Sequence, residues 1–190
     1  MTKAEFIRRF HHLRAVKQAP DFPLTREGRA ASVLIPLVEY QDGMSVILTQ
    51  RALHLKHHPG QISFPGGGVE DSDQSIFDTA LRETHEEIGI PPEFIDPVGS
   101  LSRYRTISGY NIQPVVGFVK QDYPITIDYN EVDSVFEVPL AFLMNRTNHL
   151  AHYISRKGER HAIYFIPWQG HLIWGATAAL LRNLSYHLVP

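Results

Sequence analysis

Residues 64–90 read FPGGGVEDSDQSIFDTALRETHEEIGI, and this stretch decides the fold. Its second half carries four residues at the spacing i, i+4, i+7 and i+11, which on a helix form a mostly apolar stripe that can face a core. These residues are Phe77, Leu81, Thr84 and Ile88. We therefore predict a helix over about residues 75–88 that ends at Gly89, just before Pro91 and Pro92.

A second feature of the same helix is its acidic face. Glu83, Glu86 and Glu87 fall within an arc of about 100° that lies away from the apolar stripe, so we expect surface carboxylates. Like charges at this spacing repel by a few tenths of a kcal/mol per pair, and a hard cation such as Mg²⁺ reverses that repulsion. A solvated face in which Arg82 pairs with Glu86 is the alternative.

Three consecutive glycines, Gly66, Gly67 and Gly68, precede the helix. Consecutive glycines let the backbone approach a ligand closely and permit positive φ angles. A glycine loop followed by a helix with clustered acids is suited to a metal–phosphate substrate, so this context favours a metal site over a solvated face.

The segment resembles the Nudix box, whose pattern is Gly, five residues, Glu, seven residues, then Arg-Glu-(apolar)-x-Glu-Glu-x-Gly-(apolar). Residues 82–90, RETHEEIGI, match the second half. The first half departs from the pattern. Counting back from the arginine puts Gly68 and Gln74 at the Gly and Glu places. Counting forward from Gly67 puts Asp73 at the acidic place, so that place stays open between the two residues.

An upstream motif resembles the signature of the coenzyme A pyrophosphatase subfamily of Nudix hydrolases. The pattern is Leu-Leu-Thr-x-Arg-(Ser/Ala), three residues, Arg, three residues, Gly, three residues and Phe-Pro-Gly-Gly. Residues 47–67, ILTQRALHLKHHPGQISFPGG, fit it with Lys56 in place of the second arginine. Shorter matches are QPVVG at 113–117, VFEVPL at 135–140 and WGATA at 174–178.

The resemblance implies a metal-dependent enzyme that cuts the diphosphate of coenzyme A, or of its derivatives, to 3′,5′-ADP and 4′-phosphopantetheine. It implies Glu83 and Glu87 as main metal ligands and Glu86 as an auxiliary one. Mg²⁺ or Mn²⁺ suits such an all-oxygen site. A backbone carbonyl of Gly67 or Gly68 would complete the shell, and this turn is also expected to contact the substrate.

The resemblance also implies the other catalytic residues. Arg82 would orient Glu83 through an ion pair. The general base is open between Glu83 and Glu131, which precedes the VFEVP strand candidate. For Glu131 an exposed loop carboxylate without a catalytic role is an equal alternative.

Positive charge for the substrate's phosphates is expected from Arg51 and Lys56. A solvated loop cation is the alternative for Lys56. The neighbouring His54, His57 and His58 could instead suggest zinc, but neither cysteine nor a clear further ligand set accompanies them.

Two rival functions remain. One is a Nudix hydrolase of another nucleoside diphosphate derivative, such as NADH or ADP-ribose. The other is a Nudix module that only binds nucleotides. Such modules often lose the acidic residues of the box, which are present here.

The elements along the chain are mixed without regular βαβ alternation, which predicts an α+β fold or an irregular sandwich. Thr2 and Glu5 are placed as a capping box for a first helix, and residues 18–29 look like a linker. Residues 31–40 and 45–50 are predicted strands around a turn, and residues 174–188 a closing helix.

The resemblance refines this prediction to an α/β/α sandwich with a mixed β-sheet between helices. We expect a single Nudix domain over residues 1–190, with an N-terminal helix and linker in 1–29 and the core in 31–184. The oligomeric state stays open, with a homodimer as one option.

Composition limits the partners. The 190 residues include 18 Lys and Arg and 20 Asp and Glu, for a formal net charge of -2, which argues against a nucleic-acid binder that relies on positive charge. No cysteine is present, so thiolate nucleophiles and disulfides are excluded. No secretory leader is visible, and the apolar run at 172–181 is short of the roughly 20 residues of a membrane span. We expect a cytoplasmic protein with a small-molecule substrate and no membrane partner.

Overall fold

The computed structural model describes residues 1–12, 28–156 and 159–189, so most of the linker predicted over 18–29 lies outside it. The helices are α1 Lys3–Phe10, α2 Ile76–Ile88, α3 Leu140–Met144 and α4 Ala176–Leu188. The strands are β1 Arg29–Tyr40, β2 Gly43–Arg51, β3 Ile62–Ser63, β4 Gly66–Gly68, β5 Ile95–Ser100, β6 Tyr104–Arg105, β7 Tyr110–Val119, β8 Val132–Pro139, β9 Leu150–Arg156, β10 Glu159–Trp168 and β11 His171–Trp174.

The main sheet has the order β3-β2-β1-β7-β5, with β4 added to β1, β6 to β7 and β8 to β2. Strands β1 and β7 are parallel, and the other pairs of this sheet are antiparallel. A second, antiparallel sheet has the order β11-β10-β9. The predicted mixed sheet is therefore confirmed.

Apolar side chains fill both faces of the main sheet. On β1, Leu34 packs on the face that meets α2, whereas Ile35 packs on the opposite face. Strands buried on both faces read as nearly continuous apolar runs, as β1 does. The opposite face is covered by α1, α3, α4 and the small sheet. The sheet thus lies between helices, as predicted.

The closing helix begins later than predicted. Residue 174 still belongs to β11, and α4 starts at Ala176. Gly175 separates the two elements with a φ of 66°, a value that suits glycine. The Thr177 hydroxyl then donates to the Ile62 carbonyl at 3.0 Å, which ties the start of α4 to β3.

Helix α1 covers the sheet face opposite α2. The Thr2 hydroxyl accepts the Glu5 N–H at 3.2 Å, so Thr2 is the N-cap that the sequence predicts. Phe6 is fully buried, and its ring meets that of Phe118 edge-on at 5.5 Å. Arg9 donates to the Leu188 carbonyl at 2.8 Å, which joins α1 to the end of α4.

Phe6→Ala should lower the free energy of unfolding by about 3 kcal/mol, because it leaves a cavity under α1. Urea denaturation followed by circular dichroism measures the change. Arg8→Ala, at an exposed position of the same helix, should stay within about 0.5 kcal/mol of wild type. Equal stability of Phe6→Ala and wild type would show that α1 is not docked on the sheet.

Candidate active site

Helix α2 is delimited at both ends by local signals. The Ser75 hydroxyl caps the first turn by accepting the Asp78 N–H at 3.2 Å, and Gly89 ends the helix with a φ of 74°. A Cβ on Gly89 would lie within 2.8 Å of the backbone of Thr126, so a glycine is required there. The Thr126 N–H donates to the Ile88 carbonyl at 2.9 Å, which fixes the segment after β7 to the helix end.

Arg82 is the centre of the polar network on α2. Its Nε and Nη2 atoms donate to the two carboxylate oxygens of Asp73, each at 3.0 Å. Its Nη1 donates to Glu83 and to Glu86, each at 2.9 Å. Its Nη2 also donates to the Gly68 carbonyl at 3.1 Å. One guanidinium therefore ties the glycine turn to three carboxylates.

The first acidic place of the box, which counting leaves open, is taken by Asp73. Its side chain is only 3% exposed, whereas Gln74 is exposed. Besides Arg82, it accepts the Glu70 N–H at 2.9 Å and the Thr79 hydroxyl at 2.8 Å. The guanidinium of Arg82 holds the pKa of Asp73 well below its usual range. Asp73 is thus a buried, ionised anchor for the arginine.

Glu83 lies directly against the glycine turn. A Cβ on Gly67 would come within 2.5 Å of both Glu83 carboxylate oxygens, so only glycine allows this approach. Burial raises the pKa of Glu83, the Arg82 guanidinium opposes that rise, and the charges of Glu86 and Glu131 add to it. The pKa of Glu83 therefore depends on the charges of the neighbouring carboxylates.

Glu87 is buried, and the expectation that it is a surface carboxylate was wrong. It is 3% exposed, because β4 packs across this part of the helix. The Gly66 N–H donates to its Oε2 at 3.3 Å. Burial first, and then the charges of Glu131 and Glu83, raise the pKa of Glu87 from 4.5 to about 8.

The loop between β2 and β3 brings the upstream motif to this face of the molecule. The Ala52 N–H donates to the Glu131 carbonyl at 2.9 Å. The positive charge of Arg51 acts on Glu87 and opposes the rise of its pKa. Lys56 lies farther along the loop with an exposed side chain. Within the described part of the chain, no ion pair joins Lys56 to the carboxylates.

The predicted metal ligands share one helix but do not converge. Among residues 1–12, 28–156 and 159–189, no group of three or more His, Asp or Glu side chains is gathered closely enough to hold a metal ion. Arg82 holds Glu83 and Glu86 instead. The residues nevertheless fit a hard divalent cation, since the donors are carboxylate oxygens and the Glu83 carboxylate lies against the bare backbone of Gly67.

A turn that lies beside these residues was missed in the sequence analysis. Asp128 and Asn130 form this turn, and the Asp128 N–H donates to the Glu87 carbonyl at 3.0 Å. The spacing Asp-x-Asn is a turn signal, but it does not say which element the turn contacts. His54, considered above for zinc, hydrogen-bonds the Asn130 carbonyl at 3.1 Å.

Comparison with known families agrees with this geometry. Residues 28–154 match the NUDIX domain family, so the chain belongs to the Nudix family. It is 39% identical over 193 residues to "Uncharacterized Nudix hydrolase NudL" of Shigella flexneri serotype 5b, covering 99% of this chain and 95% of the relative. A protein of the same name from Escherichia coli O7:K1 is 38% identical over the same shares.

Solved structures show the same fold. A MutT/nudix family protein from Enterococcus faecalis has a TM-score of 0.54 and 20% identity over 100% of this chain and 70% of that one. DR0079 from Deinococcus radiodurans has a TM-score of 0.55 and 16% identity over 90% and 89%. The fold, the acidic helix and the relatives together define a Nudix hydrolase that acts on substrates containing a pyrophosphate. In the part of the chain that the structure describes, no helix is both long and apolar enough to span a membrane.

Asp73→Ala should destabilise the protein by about 2 kcal/mol, because it removes a two-point, charge-assisted contact from a largely buried arginine. Thermal and urea denaturation measure this change. Gln74→Ala, one residue away and exposed, is the matched control and should change stability by less than about 0.5 kcal/mol. A larger effect at Gln74 than at Asp73 would contradict the assignment.

Glu87→Gln should flatten the pH dependence of stability in the metal-free protein. Since the pKa is about 8 in the folded state and 4.5 ordinarily, the folded state binds more protons between these values. Stability therefore falls as pH rises through this window, by an amount on the order of 5 kcal/mol that Gln avoids.

Urea denaturation in EDTA at several pH values between 4 and 9 measures this difference. The low pKa of Asp73 affects both proteins alike and cancels in the comparison. If the free energies of unfolding of wild type and Glu87→Gln change in parallel with pH, the pKa of Glu87 is not raised in the folded protein.

Proposed function

We propose that the chain is a metal-dependent pyrophosphatase of coenzyme A and its derivatives that yields 3′,5′-ADP and 4′-phosphopantetheine or its acyl form. The observation that carries this proposal is the meeting of two motifs. Residues 47–67 resemble the coenzyme A subfamily signature, and residues 82–90 resemble the Nudix box. The hydrogen bond from the Gly66 N–H to Glu87 and the charge of Arg51 near Glu87 support a single site built from both motifs.

In this proposal Glu83, Glu86 and Glu87, which do not converge in the described structure, would hold Mg²⁺ or Mn²⁺ through carboxylate oxygens. Once bound, the ion screens the negative diphosphate so that water can attack phosphorus. Arg82 keeps Glu83 and Glu86 on one side of the helix, and Asp73 keeps Arg82 in place. The Glu83 carboxylate occupies the space over Gly67 that a Cβ would need.

We assign the general base to Glu131 rather than Glu83. Within the described ranges, no hydrogen bond or ion pair is made by the exposed Glu131 carboxylate, whereas Glu83 accepts from Arg82. Glu137, on the adjacent strand, already accepts the hydroxyls of Tyr40 and Tyr123, each at 2.7 Å. A base needs a free lone pair to accept the proton of the attacking water, which Glu131 retains.

The proposed hydrolysis needs only water and the substrate as reactants. Glu131 takes one proton from the attacking water, whose hydroxyl oxygen becomes bonded to one phosphorus. The bridging oxygen leaves with the other phosphate group. The proton then passes to solvent, which restores the Glu131 carboxylate.

Arg51 and Lys56 supply positive charge for phosphate groups of the substrate. Arg51 is half-buried beside Glu87, which suits contact with the diphosphate. Lys56 is exposed at the outer part of the loop, where a compact ammonium can meet the more distant 3′-phosphate. Small nucleotide derivatives are therefore the proposed ligands.

The proposal is tested by incubating the protein with coenzyme A, NADH and ADP-ribose, each with Mg²⁺, Mn²⁺ or EDTA, and resolving the products. We expect metal-dependent formation of 3′,5′-ADP from coenzyme A and nearly complete loss of turnover in folded Glu87→Gln. Faster turnover of NADH or ADP-ribose would favour another Nudix activity. Binding of all three without turnover would favour the binding module.

A second comparison tests Lys56. Lys56→Ala should raise KM about tenfold for coenzyme A but not for dephospho-coenzyme A, which lacks the 3′-phosphate. Lys120→Ala, which removes an exposed lysine after β7, is the matched control and should leave both values unchanged. Equal effects of Lys56→Ala on the two substrates would contradict contact with the 3′-phosphate.

A further inference from the structure

The turn before β8 is held by one side chain. Asp128 Oδ1 accepts the backbone N–H of Asn130 at 3.0 Å and its side-chain amide at 2.8 Å. An aspartate that accepts the N–H two residues later mimics a backbone turn and fixes its course. Asp128 is half-buried, while Asn130 is exposed, so the bonds are anchored from the protein side.

The backbone of Asp128 joins this turn to the acidic helix. Its N–H donates to the Glu87 carbonyl at 3.0 Å. Its carbonyl accepts the N–H groups of Glu131 at 3.0 Å and Val132 at 2.9 Å. Asp128 therefore lies between a proposed metal ligand and the proposed base, and contacts the main chain of both.

The same turn is also joined to the substrate loop. The Glu131 carbonyl accepts the Ala52 N–H at 2.9 Å, and the Asn130 carbonyl bonds the His54 ring at 3.1 Å. Through these bonds the acidic helix, the turn and the loop that follows Arg51 form one continuous hydrogen-bonded unit. A shift of the turn would move Glu131 relative to both of its neighbours.

We propose that Asp128 is a positioning residue, whose turn fixes the direction of the Glu131 carboxylate toward the acidic face of α2 and links it to the substrate loop. The proposal rests on the proposed function in which Glu131 is the base. The Glu131 side chain has no partner of its own in the described residues, so its placement depends on where the turn holds its backbone. Small displacements of a catalytic group can cost as much as 100-fold in rate.

The test compares Asp128→Ala with Asp128→Asn, which retains the accepting oxygen without the charge. We expect kcat to fall roughly 10- to 100-fold in Asp128→Ala, with KM within about twofold, and to stay within about threefold in Asp128→Asn. Asp133→Ala removes a nearby exposed carboxylate and is the matched control, with kcat unchanged. Equal losses in Asp128→Asn and Asp128→Ala would overturn the proposal in favour of a charge effect.

A double-mutant cycle separates positioning from general stability. Glu131→Gln should lower kcat about 100-fold or more. Asp128→Ala should then cost little in the Glu131→Gln background, because there is no base left to position. If the kcat losses of Asp128→Ala and Glu131→Gln multiply in the double mutant, the positioning role is overturned, whereas the assignment of Glu131 as the base stands. Full activity of Glu131→Gln would overturn both assignments.

Two measurements do not depend on turnover and so distinguish this proposal from the proposed function. Mn²⁺ binding, followed by electron paramagnetic resonance, should be unchanged in Asp128→Ala, because the proposed ligands are intact. Amide hydrogen exchange should accelerate at Asn130 and Ala52 in Asp128→Ala but not in Asp128→Asn. Unchanged exchange at both amides would refute the positioning role, whatever substrate the enzyme prefers.

Discussion

The contact between Arg82 and Asp73 is the interaction on which the site depends. An arginine surrounded by several carboxylates would have no single direction if all of them were equally mobile. Asp73 is nearly buried and is itself held by a backbone N–H and a hydroxyl, so its two-point contact fixes the plane of the guanidinium. The remaining N–H groups of Arg82 then have defined directions toward Glu83, Glu86 and the glycine turn. The carboxylates of Glu83 and Glu86 are therefore held close together on one helix despite their mutual repulsion.

Local signals explain how much of this could be predicted from the sequence. The helix and its Gly89 end depend on neighbouring residues, so their pattern was sufficient to place them. The resemblance to the Nudix box likewise predicted the mixed sheet between helices, which the structure confirms. The start of α4 was predicted two residues too early. An apolar run that begins as an edge strand and continues as a helix shows no change in composition at the boundary.

Other features depend on contacts between distant segments and could not be predicted in the same way. Helical spacing puts Glu87 on the acidic face, but only the passage of β4 across that face buries it. Counting residues could not choose between Asp73 and Gln74, since the choice depends on which side chain turns inward toward Arg82. The turn at Asp128 carried an ordinary turn signal, and its contact with the Glu87 carbonyl required the whole sheet to be in place.

The parallel pairing of β1 with β7 has a consequence for the order of folding. The pair joins residues near position 35 to residues near position 116, so it forms only after a long loop has closed. The contacts of Arg82 with Asp73 and Gly68 span short sequence distances and can form with α2 itself. The approach of Arg51 and Glu131 to that helix requires the completed sheet. The acidic half of the site thus rests on contacts between residues close in sequence and the loop half on contacts between distant ones, so the two halves are expected to form at different stages of folding.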